Sequence, residues 1–223
     1  MTAAFASVVI DVDSTLCGIE GIDFLAARRG GDVGARIAAL TDRAMRGEVD
    51  LESVYGERLT IVRPTTADVD ALADEYRESL APGAAAAIAT MRHVGARLIL
   101  ISGGVRQAIS PVARALGFAD QDLYAVSLSF DASGNYLTYD THSPLTTQHG
   151  KPEIVTRLAA EGKLRRPILA VGDGATDVPL RSIADTFAAF TGFARRPSVV
   201  ANADVEIGSF AELEKLALRR ARD

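Results

Sequence analysis

A single cysteine, Cys17, stands in 223 residues, so no disulfide can form within the chain and the small secreted scaffolds held by such bridges are excluded. No His–Asn pattern marks Cys17 as a nucleophile, and a free cysteine usually packs as a small hydrophobe. No apolar run reaches the roughly 18 residues that a membrane helix needs. The opening "MTAAFASVVIDVD" has no basic segment before acids interrupt it. These absences point to a cytoplasmic protein with no membrane partner. Formal net charge is −5 and the basic residues fall in twos rather than in a stripe, so nucleic acid is not an expected partner. Three fingerprints also fail. Gly172-x-Gly174 leads to Asp177 instead of a third Gly, Gly150-Lys151 is followed by Pro152 instead of Ser or Thr, and G-x-S-x-G does not occur.

What is present is a repeating rhythm of short apolar runs, in a chain whose 48% apolar residues can support a proper core. "SVVI" precedes Asp11, "RLILI" precedes Ser102-Gly103-Gly104, "PILAV" precedes Gly172-Asp173-Gly174, and "TFAAF" stops at Thr191-Gly192. Runs apolar throughout fit parallel strands buried on both faces, and helical segments lie between them. The expected class is α/β, a Rossmann-like parallel sheet core flanked by helices. Helices are expected over "APGAAAAIATMRHVG", with Pro82 in the first turn and Gly95 as the stop, and from Lys151-Pro152 to Gly162. A last helix, "SFAELEKLALRRAR", has Ser209 and Glu212 at capping-box spacing and Arg219, Arg220 and Arg222 near its negative end. After Ser102, Pro111 implies a kinked helix or one that starts at Ser110.

Residues 18–79 show no strand alternation and divide into four helical pieces broken at Gly30-Gly31, Gly47 and Arg63-Pro64. An insert this long exceeds a simple crossover. The expected organisation is a catalytic core of residues 1–17 and 80–223 with a helical-bundle cap of residues 18–79 after strand one. A second insert, residues 123–140, alternates around Asp131-Ala132-Ser133-Gly134-Asn135 and reads as a β-hairpin.

Ligands of open α/β sheets sit beyond the carboxyl ends of the strands, so Asp11, Asp13, Ser102, Asp173 and Asp177 should share one crevice. Carboxylates that close ionise cheaply only around a cation, and an all-oxygen set suits Mg²⁺ completed by water and a substrate phosphate. His93, His142 and His149 are dispersed and read as surface or packing residues. Ser102, the amides of Gly103 and Gly104, and Lys151 at a helix start supply donors for an anion. An Asp attacking phosphorus would split a hard hydrolysis into two easier displacements. A second carboxyl two residues on could protonate the leaving alcohol and later deprotonate water.

The ordered segments "DVDSTLCGIEGID", "RAMRGEVDLESVYGERL", "LISGGVR", "GKPEIV" and "VGDGATDV" make the chain resemble the haloacid dehalogenase superfamily of phosphohydrolases over nearly its whole length, and within it the members that hydrolyse phosphoserine. The resemblance implies Asp11 as nucleophile, Asp13 as acid and base, and Ser102, Gly103, Lys151 and Thr176 around the phosphate. It implies Mg²⁺ on Asp11, the backbone carbonyl of Asp13, and Asp173, with Asp177 behind the metal's water shell. It further implies Glu20 on the substrate ammonium, Arg58 on its carboxylate, and Met45 and Gly104 lining the pocket. The implied reaction is O-phospho-L-serine to L-serine and phosphate, the last step of serine synthesis by the phosphorylated route. Hydrolysis or transfer of another small phosphomonoester uses the same residues. A phospho-aspartate receiver shares several of them, but it has no helical insert after strand one and does not need Asp13. Monomer and homodimer are equally compatible with the sequence.

Overall fold

The structure, a computed structural model, describes residues 2–219. The chain opens with β1 (Thr2–Ala3) and β2 (Ser7–Ile10), then enters four helices, α1 (Gly21–Ala27), α2 (Asp32–Met45), α3 (Leu51–Val62) and α4 (Thr66–Glu78). It continues through α5 (Ala84–His93), β3 (Arg97–Val105), α6 (Arg106–Ala115), β4 (Leu123–Val126) and the pair β5 (Leu128–Phe130) and β6 (Tyr136–Tyr139). The last third comprises α7 (Gly150–Ala160), β7 (Ile168–Gly172), β8 (Thr186–Phe190), α8 (Pro197–Val200), β9 (Val205–Ile207), α9 (Phe210–Ala217) and β10 (Leu218–Arg219).

Six strands form one sheet in the order β4-β3-β2-β7-β8-β9, and every neighbouring pair in it is parallel. β2 lies at its centre, with Val8, Val9 and Ile10 fully buried, which is why this run carries no polar alternation. The chain steps outward from β2 to β3 and β4, then returns to the other side of β2 as β7. That reversal makes a crevice beyond the carboxyl ends of β2 and β7, where such sheets bind ligands.

The four helices between β2 and β3 end where the sequence supplies stops. Gly30, Gly31 and Gly47 have positive φ, and Arg63 closes α3 in the left-handed conformation before Pro64. Thr65 and Asp68 form a capping box that starts α4. The segments entering and leaving this insert run against each other, with Gly18 N donating to Ser79 O at 2.8 Å and Ala81 N donating to Leu16 O at 2.9 Å. The hairpin also contacts the insert. Thr66 N donates to Gly134 O at 2.9 Å, and the rings of Tyr55 and Tyr139 meet edge-on at 5.3 Å.

Several local expectations need correction. Pro82 lies in the turn before α5, which is entered through Gly83 in the left-handed region. α6 runs unbroken through Pro111 and begins at Arg106, with the Ser110 hydroxyl turned back onto Arg106 O. The segment 123–140 is not one hairpin: Leu123–Val126 adds to the main sheet beside β3, and the hairpin proper pairs Leu128 with Tyr139. α9 is capped by Ser209, whose hydroxyl accepts from Glu212 N, but the Glu212 carboxylate accepts from Gly208 N instead of closing the box. That helix ends at Ala217, Arg219 falls in a strand paired with β1, and Arg220 and Arg222 lie outside the described residues. His93, His142 and His149 are exposed. Cys17 is buried, with Sγ on Tyr76 O at 3.2 Å, and burial pushes its thiol well above the ordinary range.

Candidate active site

β2 delivers its acids into a rigid turn. Asp11 N donates to Val171 O of β7 at 3.0 Å, which ties the start of the turn to the neighbouring strand. Ser14 takes a left-handed conformation, φ 53°, a state that residues with a Cβ adopt only where surroundings hold them. Here Ser14 N donates to Ile19 O and Cys17 N donates to Val12 O. The two hydroxyls after the acids both reach residues singled out from the sequence: Ser14 Oγ donates to Glu20 Oε1 at 2.8 Å and Thr15 Oγ1 to Asp173 Oδ1 at 3.0 Å. Their adjacency to Asp13 was visible in the sequence, whereas their partners were not.

The Asp13 carboxylate is held from two sides. Tyr76 Oη of α4 donates to Oδ1 at 2.6 Å, and Gly21 N at the start of α1 donates to Oδ2 at 3.0 Å. Burial and the charge of Glu20 raise the Asp13 pKa to about 6, against the lowering effect of the Tyr76 hydrogen bond. Such a value suits a group that must give and take a proton near neutrality.

Lys151, near the start of α7, is buried between two carboxylates, 2.7 Å from Asp11 Oδ1 and 2.6 Å from Asp177 Oδ1. Burial alone would lower its pKa, but Asp11 and Asp177 outweigh that and hold it charged. Asp11 is pushed up by burial and by Asp177, and pulled back by Lys151. Asp177 is fully buried, and its Oδ2 accepts from Gly174 N at 3.1 Å. Gly172 makes that packing possible, since a Cβ there would stand 2.1 Å from Asp177 Cγ. Gly172→Ala should displace Asp177 and with it Lys151. A loss of about 10²-fold in kcat/KM with retained far-UV circular dichroism is expected, because ångström-scale misplacement of reacting groups costs that much.

Asp11, Asp173 and Asp177 each offer a carboxylate oxygen within 4.8 Å of the others. An all-oxygen, buried acidic set fits a hard divalent cation rather than a soft metal, so the residues present fit the metal expected of this arrangement. The Asp13 carboxylate is engaged by Tyr76 and Gly21 and is not among the three acids of this cluster. A residue missed by sequence reasoning also reaches this cluster. Arg196, from the segment after β8, contacts Asp173 Oδ2 and lies 3.3 Å from Glu20 Oε1.

Above the strand ends a cavity is lined by Asp11, Asp13, Ser102, Gly103, Gly104, Lys151, Asp173 and Thr176 from the sheet side, and by Glu20, Met45 and Arg58 from the helical insert. All the sequence-derived site residues therefore meet in one space except Asp177, which lies beneath it. β3 extends through Ser102-Gly103-Gly104 instead of stopping before them, with an irregular register between Ile101 and Val105. Gly104 N donates to Ser102 Oγ at 2.9 Å, and Gly103 O accepts from Tyr55 Oη at 2.7 Å. Arg58 is 3% exposed, so its charge needs partners inside the protein. Its Nη1 donates to Thr41 Oγ1 at 2.8 Å, Thr41 in turn donates to Asp23, and its guanidinium lies 5.6 Å from the Tyr55 ring centroid. Arg58 Nε has no partner among the described residues. Burial raises Glu20, which stands at the entry to α1.

A sequence profile of haloacid dehalogenase-like hydrolases matches residues 8–182. The chain belongs to that family. Among its relatives, the chloroplastic phosphoserine phosphatase of Arabidopsis thaliana is 37% identical over 93% of this chain and 70% of that protein. The phosphoserine phosphatase of Rattus norvegicus is 33% identical over 93% of this chain and 91% of its own. In architecture, a phosphoserine phosphohydrolase-like protein from Francisella tularensis superposes with a TM-score of 0.85 at 22% identity, over 98% of this chain and all of that one. A phosphoserine phosphatase with a phospho-aspartyl intermediate analogue gives 0.79 at 24% identity, over 96% of this chain and 99% of that one. These two likenesses establish a shared haloacid dehalogenase-like fold. No helix among the described residues is long and apolar enough to cross a membrane.

Proposed function

We propose that the protein hydrolyses O-phospho-L-serine to L-serine and phosphate with Mg²⁺, through an aspartyl-phosphate on Asp11. The observation that carries the substrate assignment is Arg58, a buried guanidinium with an unpartnered Nε, lining the same cavity as Glu20 and Asp11. An arginine fork meets a carboxylate through paired hydrogen bonds, and Glu20 offers the opposite charge to an ammonium. Relatives named phosphoserine phosphatase over nine-tenths of the chain support the same substrate.

In this reading Asp11 Oδ attacks phosphorus while the bond from phosphorus to the serine oxygen breaks, and Asp13 gives its proton to that oxygen. Asp13 then takes a proton from water as the water attacks the phosphoryl group, which releases phosphate and restores the Asp11 carboxylate. Lys151 has three N–H donors. Two hold Asp11 and Asp177, so the nucleophile is oriented and a third donor is left for a phosphate oxygen. Ser102, Gly103 and Thr176 would bind the phosphate, and Met45 and Gly104 would line the substrate pocket, all of them in the same cavity wall. Mg²⁺, held by Asp11, the Asp13 carbonyl and Asp173, with Asp177 behind it, would neutralise charge on the phosphoryl oxygens. The proposal divides the chain into a catalytic core of 1–17 and 80–223 and a cap of 18–79, with serine synthesis in the cytoplasm as its setting.

The test compares phosphoserine with phosphoethanolamine, which keeps the ammonium and lacks the carboxylate. Arg58→Ala is expected to lower kcat/KM for phosphoserine roughly 10²-fold more than for phosphoethanolamine, in line with a charged hydrogen-bonded pair. Equal losses on both would remove Arg58 from carboxylate recognition and the substrate assignment with it.

A further inference from the structure

We propose that Tyr76, on the last turns of α4, is a positioning residue that orients the Asp13 carboxyl group for proton transfer to the leaving oxygen. The inference rests on Asp13 being the acid and base of the reaction proposed above.

Tyr76 is fully buried, and a buried phenol normally finds a hydrogen-bond partner. Its partner is Asp13 Oδ1 at 2.6 Å, while Gly21 N takes Oδ2 at 3.0 Å. One donor on each oxygen fixes the rotation of the carboxyl plane about its χ angles, which a single donor would leave free. Two glycines from different elements keep a slot open for the phenol oxygen. A Cβ on Gly21 would stand 2.4 Å from Tyr76 Oη, and one on Gly104 would stand 3.0 Å from it and 3.1 Å from Asp13 Oδ1. The tyrosine backbone is fixed as well, since its carbonyl accepts from Cys17 Sγ at 3.2 Å. Nothing about "ADEYRES" distinguishes Tyr76 from an ordinary core aromatic of an amphipathic helix, so the role emerges from the fold alone.

General acid catalysis matters in proportion to how badly the leaving oxygen needs a proton. The serine alkoxide needs one, whereas p-nitrophenolate departs without it. Tyr76→Phe, which keeps the ring and removes the donor, is therefore expected to lower kcat/KM for phosphoserine about tenfold more than for p-nitrophenyl phosphate. Asp13→Asn, measured in parallel, should shift the same ratio further in the same direction. An unchanged ratio in Tyr76→Phe beside a shifted one in Asp13→Asn overturns the role of Tyr76. An unchanged ratio in Asp13→Asn overturns the acid assignment itself. A purely structural tyrosine would depress both substrates equally. Where the phenylalanine variant does not fold, Tyr76→Gln is compared with Tyr76→Met, which match in size and differ in the donor. A ratio better preserved in the glutamine variant supports the proposal, and identical ratios overturn it.

Discussion

Replacing Asp11 with Asn should lower phosphate release from phosphoserine by about 10⁴-fold or more, because an amide cannot form the acyl-phosphate and nothing beside it substitutes. The fold should survive the change. Asp11 is 6% exposed and faces Lys151 at 2.7 Å, so an uncharged group of the same shape removes a carboxylate that burial already disfavours. Acid-quenched wild-type protein should carry trapped phosphate and the variant none. Turnover retained within tenfold of wild type would move the nucleophile elsewhere.

Lys151→Met is expected to have the second largest consequence, and on two readouts at once. The side chain sits at 5% exposure between two carboxylates. Deleting its charge leaves Asp11 and Asp177 facing each other without compensation. Breaking a buried pair this way costs about 3–5 kcal/mol, which in a chain of this size corresponds to a melting temperature lower by roughly 10 °C. Activity should fall by about 10³-fold, since both the orientation of the proposed nucleophile and the proposed phosphate contact go with it. Calorimetry and a steady-state assay measure the two effects separately. A melting point within 2 °C or so of wild type would mean that the pair contributes little to stability.

How much of this was legible beforehand follows from the range over which each signal acts. The four buried strand runs announce themselves locally, because a central parallel strand has no solvent face to encode. β9, with Val205-Glu206-Ile207, and the two-residue β1 and β10 are too short to carry a period, and they exist because a neighbour is there to pair with. Asp11, Asp13 and Asp173 follow strand ends, Lys151 stands at a helix start and Ser102 lies in the carboxyl-terminal half of β3, so topology converges them without any knowledge of side-chain contacts. Arg196 is the opposite case. It is chemically indistinguishable from Arg195 beside it, yet Arg195 pairs with Glu206 at the surface while Arg196 turns inward to Asp173 and Glu20. Thr41 and Tyr76 were likewise invisible, since their significance lies in partners 17 and 63 residues away.

The hairpin holds the helical insert in a different way from the backbone that joins it to the sheet. Around Gly18 and Ser79 the continuous chain itself crosses, and its paired segments add hydrogen bonds, whereas Thr66 with Gly134 and Tyr55 with Tyr139 hold through non-covalent contacts alone. Any shift of the insert relative to the hairpin therefore has to give up that backbone hydrogen bond and that edge-on ring contact together.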